Sequence, residues 1–127
     1  MEMRMLNPQG STAPTGGYSQ GLEISASCRL TFISGQVPED PDGHSPDSFG
    51  EQCRLVWRNV LAVLEEAEMG ITNLVKVTTF LADRDHRDVN SAVRREVLGE
   101  HRPALSVIIA GIYDPRWLLE IEAIAAS

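Results

Sequence analysis

The sequence has few cysteines, no apolar run long enough to cross a bilayer, and no apolar signal-peptide core in residues 1–6. Its two cysteines, Cys28 and Cys53, lie far apart and form no Cys-x-x-Cys or Cys/His cluster. Isolated thiols are typical of reducing compartments, so we predict a reduced, cytoplasmic protein with buried thiols. The absence of a long apolar run predicts that no membrane is involved.

Basic residues are also in the minority. Eleven Lys and Arg against 18 Asp and Glu give a formal net charge of −7. Nucleic acids are bound by clustered basic side chains, and the only dense basic patch is Arg94-Arg95 with Arg87 nearby. We therefore expect no nucleic-acid partner.

Motifs for cofactors and metals are missing as well. His44, His86 and His101 lie in loops or at a helix start without metal-ligand spacing. The chain has no Gly-x-Ser-x-Gly element and no glycine loop of the phosphate-binding type. The sequence thus predicts neither a metal nor a cofactor.

What the chain does contain is typical of one globular domain over residues 1–127, with 43% apolar residues. Its periodicities predict the order β-β-β-α-β-α-β-β. Ser48 and Glu51 fit a capping box that begins the first helix, which we expect to end at Gly70 as a C-terminal cap. The second helix is predicted over 85–98 and ends at Gly99. The predicted strands are 1–8, 22–27, 29–34, 71–82, 105–112 and 117–125.

The strands at 74–81 and 105–112 carry apolar side chains on both faces. Two helices can cover only one face of the sheet that these strands form. The second face must be buried against something else, and the chain has no further element to supply. A homo-oligomer that packs sheet against sheet is the natural explanation.

The last strand carries two carboxylates, Glu120 and Glu122, within an apolar run. Alternation in a strand places both on one face with Leu118 and Ile124, and places Leu119, Ile121, Ala123 and Ala125 on the other. On residue types alone, an edge strand with solvated glutamates explains this pattern. The alternative is a carboxylate held in a site.

Several segments together resemble the RidA/YjgF family, in order and with comparable spacing over nearly the whole chain. They are Tyr18-Ser19-Gln20, residues 34–38 (Ser-Gly-Gln-Val-Pro), residues 74–83, Asn90, Pro103-Ala104 and residues 120–125 (Glu-Ile-Glu-Ala-Ile-Ala). The resemblance implies a chorismate-mutase-like α+β fold and a homotrimer. Its three sheets would pack around a central barrel, with small-molecule clefts between subunits.

The family's best-known activity is hydrolysis of reactive enamines and imines, such as 2-aminoacrylate, to a 2-keto acid and ammonia. By resemblance, Glu120 positions or activates water and Tyr18 helps to close the cleft. Gly35 and Val107 offer backbone hydrogen bonds, and Asn90 lies near the cleft.

The sequence departs from the family at Leu105, where deaminating members have an Arg that clamps the substrate carboxylate. Losing such a clamp costs roughly 2–5 kcal/mol. Turnover of 2-aminoacrylate should therefore be poor, and Leu105 would face an apolar part of a larger substrate. Arg116 is our first candidate for a replacement guanidinium, with Arg102 and Arg29 as alternatives.

Three functions follow from these observations. We prefer a deaminase-type hydrolase that acts on an atypical enamine or imine. A non-catalytic trimeric binding or regulatory protein is the alternative. The acidic balance argues against a third function, that of a ribonuclease or translation inhibitor, a label sometimes attached to this family.

Overall fold

A computed structural model describes residues 1–11, 13–14 and 16–127. The predicted element order is confirmed, with boundaries that move by a few residues. Short 3-10 helices at Ile71–Asn73 and Arg84–His86 precede the fourth strand and the second helix. The elements are β1 (Glu2–Leu6), β2 (Gly21–Ser25), β3 (Leu30–Gln36), α1 (Phe49–Glu66), β4 (Leu74–Leu81), α2 (Arg87–Leu98), β5 (Ala104–Ile109) and β6 (Leu119–Ala126).

The strands form two sheets. β1 and β2 pair antiparallel as a separate two-stranded sheet. The other four strands form a mixed sheet in the order β3-β6-β4-β5, in which only β4 and β5 run parallel. The predicted α+β class, with two helices and a mixed sheet, is thus confirmed.

α1 begins as the capping pattern predicts, since the Ser48 hydroxyl accepts a hydrogen bond from the Glu51 N–H at 3.2 Å. The prediction that Gly70 caps its C-terminus is wrong. The chain turns earlier, with Glu68 in the left-handed region at φ 58°. The N–H groups of Glu68 and Met69 then donate to the carbonyls of Glu65 and Leu64, which is the Schellman pattern.

Gly70 itself is extended, with φ −138° and ψ −172°. The 3-10 turn that follows occupies the first three residues of the predicted 71–82 strand, so β4 begins only at Leu74. Gly99 does end α2, as predicted, with φ 59°. No helix among the described residues has both the length and the apolar character needed to cross a bilayer.

Both helices pack on the same face of the four-stranded sheet, where they bury the core. β6 alternates as predicted: Leu119, Ile121, Ala123 and Ala125 are all 5% exposed or less. The opposite face, which we call the open face, carries no helix. Its apolar side chains are strongly exposed, namely Leu30 (49%), Phe32 (70%) and Ile108 (46%).

Candidate functional site

Glu120 lies on the open face, directly over Gly35. A Cβ atom built on Gly35 would lie 1.8 Å from Glu120 Oε2 and 2.7 Å from its Cδ. No side chain larger than a hydrogen can therefore stand at position 35 without displacing the carboxylate. The register between β3 and β6 shifts between Ile33 and Gln36, so Gly35 lies in a bulge beside Glu120.

A second group of predicted residues lines a cavity of about 550 Å³ between β5, α2 and the segment before β2. It contains Tyr18, Asn90, Leu105 and Val107, four of the residues that the family resemblance selected. Four arginines also line it, so we call it the arginine cavity. Its complete lining is Gly16, Tyr18, Leu81, Arg84, Arg87, Asn90, Ser91, Arg94, Arg95, Leu105, Val107 and Ile109.

Ser19 positions Tyr18 beside this cavity. The Ser19 N–H donates to the Pro103 carbonyl at 3.0 Å, and its hydroxyl donates to the Arg102 carbonyl at 2.6 Å. Ser19 also forms an isolated parallel bridge with Ala104 at the start of β5. The segment that carries Tyr18 is thereby fixed along β5, next to Leu105.

Asn90 reaches the cavity from α2 and is only 3% exposed. The Cys53 thiol, fully buried on α1, lies 3.9 Å from Asn90 Oδ1 and donates to it. Burial raises the pKa of Cys53 to about 12, so the thiol stays protonated at physiological pH and remains a donor. Cys53 thus orients the amide of Asn90 rather than acting as a nucleophile.

The strand registers place the two groups on opposite faces of the sheet. Leu105 pairs with buried Val77, whereas Glu120 pairs with Phe80, one of the residues that alternate to the open face. Residues on opposite faces of one sheet cannot contact the same small ligand. A single chain therefore does not bring Glu120 and Leu105 into one site.

The sequence shows Arg94-Arg95 and Arg87 as a basic patch, but sequence reasoning missed that these arginines line a cavity. Arg94 is 5% exposed, and its Nη2 donates to the Gly16 carbonyl at 2.7 Å and to Ser91 Oγ at 3.3 Å. Its buried Nε–H has no hydrogen-bond partner among the described residues. Burial, with a smaller effect from Arg95, lowers the pKa of this guanidinium. The available signal was the spacing of Arg87, Asn90 and Arg94, which share one helical face.

The three arginines that we considered as replacements for the clamp lie away from this cavity. Arg116 pairs with Asp114 at 2.8 Å and is 77% exposed in its side chain. Arg102 donates to the carbonyls of Gly99 and His101. Arg29 donates to the Ala67 carbonyl and to Ser127 Oγ.

One loop brings Asp40, Asp42 and His44 together, with possible ligand atoms all within 4.8 Å of one another. Spacing alone did not suggest this cluster. The Asp40 carboxylate is already engaged, because the N–H groups of Asp42 and His44 each donate to its Oδ1 at 2.9 Å. These bonds, chiefly that from His44, lower the pKa of Asp40. The cluster is thus an ordinary hydrogen-bonded turn.

Comparison with known proteins finds relatives that match nearly the whole chain. The model of the Endoribonuclease L-PSP family matches residues 9–127. A RutC family protein of Pyrococcus abyssi is 31% identical over 127 residues, which is 98% of each chain. The chain belongs to the RidA/YjgF family.

Solved structures of the Rid family have the same fold. YyfB of Yersinia pestis, a Rid protein of unknown function, superposes with a TM-score of 0.88 at 25% identity over the whole of both chains. TdcF of Escherichia coli, solved with bound serine, superposes with a TM-score of 0.73 at 28% identity over 98% of both chains. TdcF is named for a proposed reactive intermediate deaminase activity. Membership supports a Rid-type function broadly and leaves the substrate open.

Proposed function

We propose that this Rid protein is a homotrimeric hydrolase that deaminates an enamine or imine other than simple 2-aminoacrylate. The site would lie between subunits, with Gly35 and Glu120 from one chain and the arginine cavity from its neighbour. The observation that carries the proposal is the placement of these two groups on opposite faces of one sheet. Packing of copies around a barrel is the arrangement that can bring them together.

The open face supports this assembly. Leu30, Phe32 and Ile108 leave a large apolar area in water, and no element among the described residues covers it. Glu120 is half-buried at this face. A second copy that covered the face would leave Glu120 in a partly apolar cleft, where a carboxylate is well suited to hold water.

The reaction requires only water and proton transfers. Water adds to the carbon of the C=N bond while Glu120 accepts one of its protons. Return of that proton to the nitrogen gives a carbinolamine. Transfer of its hydroxyl proton to the nitrogen as the C–N bond breaks then releases ammonia and leaves a C=O bond. The protein has to orient the water and the imine, and Glu120 with Tyr18 would do this from two sides.

Leu105 supports a substrate that differs from a simple amino-acid imine. Its side chain offers no hydrogen bond to a carboxylate and presents an apolar wall beside Val107 and Ile109. An apolar portion of the substrate would pack there. The substrate's charged group must then be bound elsewhere in the cavity.

Ammonia release from a panel of enamines tests the proposal. We expect Glu120→Gln to lose at least about 100-fold in turnover, within the usual range for general acid–base groups. Glu122→Gln is the matched control, because Glu122 is an exposed glutamate two residues away on the same face. Equal rates for wild type and Glu120→Gln would refute a catalytic role.

Binding measurements on the same protein distinguish two other functions. Stable metabolite binding without turnover would favour a trimeric binding or regulatory protein. A ribonuclease would have to bind RNA at a surface where the arginines outweigh a net charge of −7. We expect no RNA binding at physiological salt, and binding that survives such salt would favour the ribonuclease.

A further inference from the structure

The arginine cavity concentrates positive charge in an acidic protein. Arg84, Arg87, Arg94 and Arg95 are four of its 11 basic residues, and the lining contains no Asp or Glu. Arg84, Arg87 and Arg95 make no side-chain hydrogen bond or ion pair within the described ranges. These three side chains are exposed, so water screens much of their mutual repulsion, but together they give the cavity a positive potential that attracts anions.

Arg94 is the residue that distinguishes this cavity from a solvated basic surface. It is 5% exposed, yet no carboxylate lies within ion-pair distance of it in the described part of the chain. Buried charges are normally paired, since removal from water without a counter-ion is costly. The contacts of Nη2 with Gly16 and Ser91 fix the guanidinium in place but leave its Nε–H without a partner.

We propose that the arginine cavity binds a small ligand with two or more negative charges, and that Arg94 provides the buried guanidinium that Leu105 cannot. This inference rests on the proposed function for the reaction itself, and it adds the class of ligand. A monocarboxylate would engage one guanidinium and leave three unpaired. A dicarboxylate or a phosphate ester carries two negative charges and can engage at least two of the four guanidiniums, and about 550 Å³ accommodates either.

Calorimetric titration of the full-length protein tests the proposal. The probes are 2-oxoglutarate as a dicarboxylate, inorganic phosphate, and 2-oxobutyrate as a monocarboxylate. We expect one of the first two to bind at least about 10-fold more tightly than 2-oxobutyrate, with affinity that falls as salt rises. Which of the two binds identifies the anionic group.

Substitutions assign the effect to Arg94. Arg94→Gln should weaken binding of the preferred dianion by about 30-fold or more, and Arg94→Lys should recover part of the loss. Arg58→Gln, an exposed arginine on α1 outside the cavity, should have no effect. If Arg94→Gln does not fold, Arg87→Gln is the second variant. The exposed Arg87 side chain lines the cavity and has no partner within the described ranges, so it is available to the ligand, and its loss should weaken binding several-fold.

Several results would overturn the proposal. These are equal affinity for mono- and dianions, no binding of any probe, no effect of the cavity arginines, or tighter binding of an RNA oligonucleotide than of either dianion. Binding is measured without turnover and should persist in Glu120→Gln. A protein that binds the dianion but releases no ammonia would therefore refute the deaminase proposal and leave the dianion proposal intact.

Discussion

Glu120 and Leu105 lie on opposite faces of one four-stranded sheet, although the family resemblance assigns both positions to one site. Glu120 pairs with Phe80, and Leu105 pairs with Val77. Val77 and Phe80 are three residues apart in β4, so their side chains point to opposite faces, and Val77 is buried under the helices. The complete site thus requires two copies of the chain in our account.

Gly35→Ala should reduce turnover by about 100-fold, because the new methyl group would occupy the position of the Glu120 carboxylate, and a displacement of that size suffices for such a loss. The fold should persist, since the atoms displaced are the end of one side chain. Gly70→Ala is the control, as a Cβ there meets nothing within 4 Å. Unchanged steady-state rates for Gly35→Ala would show that the position of Glu120 is unimportant.

Phe32→Glu should convert the assembly into monomers. Phe32 is 70% exposed on the open face, and a carboxylate there would be buried without a partner in a sheet-to-sheet interface. Light scattering coupled to gel filtration measures the mass. Tyr113→Glu is the control, because Tyr113 is 96% exposed in a loop outside the sheet. A wild-type protein that is monomeric, or a Phe32→Glu protein that remains trimeric, would contradict the open face as the interface.

Leu105→Arg should increase turnover of 2-aminoacrylate, since it restores a guanidinium to the wall of the cavity. The gain should be larger in the Arg94→Gln background, where the new cation does not face Arg94. Steady-state kinetics of the two single variants and the double variant measure this coupling. Unchanged rates in both backgrounds would mean that this cavity differs from that of the deaminating family members at other positions besides Leu105.

Cys53 should not react with a thiol reagent in the native protein. Its pKa is raised to about 12 by burial, and its side chain is fully inaccessible, whereas Cys28 is partly exposed. Disulfide-exchange titration should therefore count one thiol per native chain and two after denaturation. In Cys28→Ser the native count should fall to zero. Rapid native labelling of Cys53 would contradict its burial.

The same shift predicts a pH dependence of stability. In the unfolded chain the thiol ionises near its ordinary value of 9.0, whereas in the folded chain it keeps its proton to about 12. The unfolded state binds fewer protons between these values, so the Cys53 contribution is present below pH 9 and is lost as the pH rises toward 12. The difference in melting temperature between wild type and Cys53→Ala should therefore shrink as the pH rises from 9 toward 12.

Much of the fold could be predicted from local patterns. The Ser48 cap, the alternation of β6 and the cap at Gly99 are properties of a few consecutive residues, and all three were predicted correctly. The end of α1 was not, because Glu68 occupies the left-handed position that usually requires Gly or Asn. A glutamate gives no sequence signal for a left-handed cap, so the cap was predicted at the nearest glycine, Gly70, which is wrong.

The site was less accessible to sequence reasoning. Alternation gave the face of Glu120, but its relation to Leu105 depends on the pairing of β4 with both β5 and β6. Sequence analysis placed Arg94 in a basic patch and assigned it no function, since arginines on a helix are usually solvated. In the structure it is 5% exposed, and its Nη2 donates to the Gly16 carbonyl, a contact between segments that are far apart in the sequence.

Subunit mixing tests the central claim most directly. Glu120→Gln removes one part of the site, and Val107→Trp blocks the other by filling the arginine cavity. Each variant alone should be inactive. If the site forms between copies, co-refolding equal amounts of the two variants should make about one quarter of all clefts intact. Ammonia release should then rise to about one quarter of the wild-type rate. If one chain holds the complete site, the mixture will remain as inactive as the separate variants.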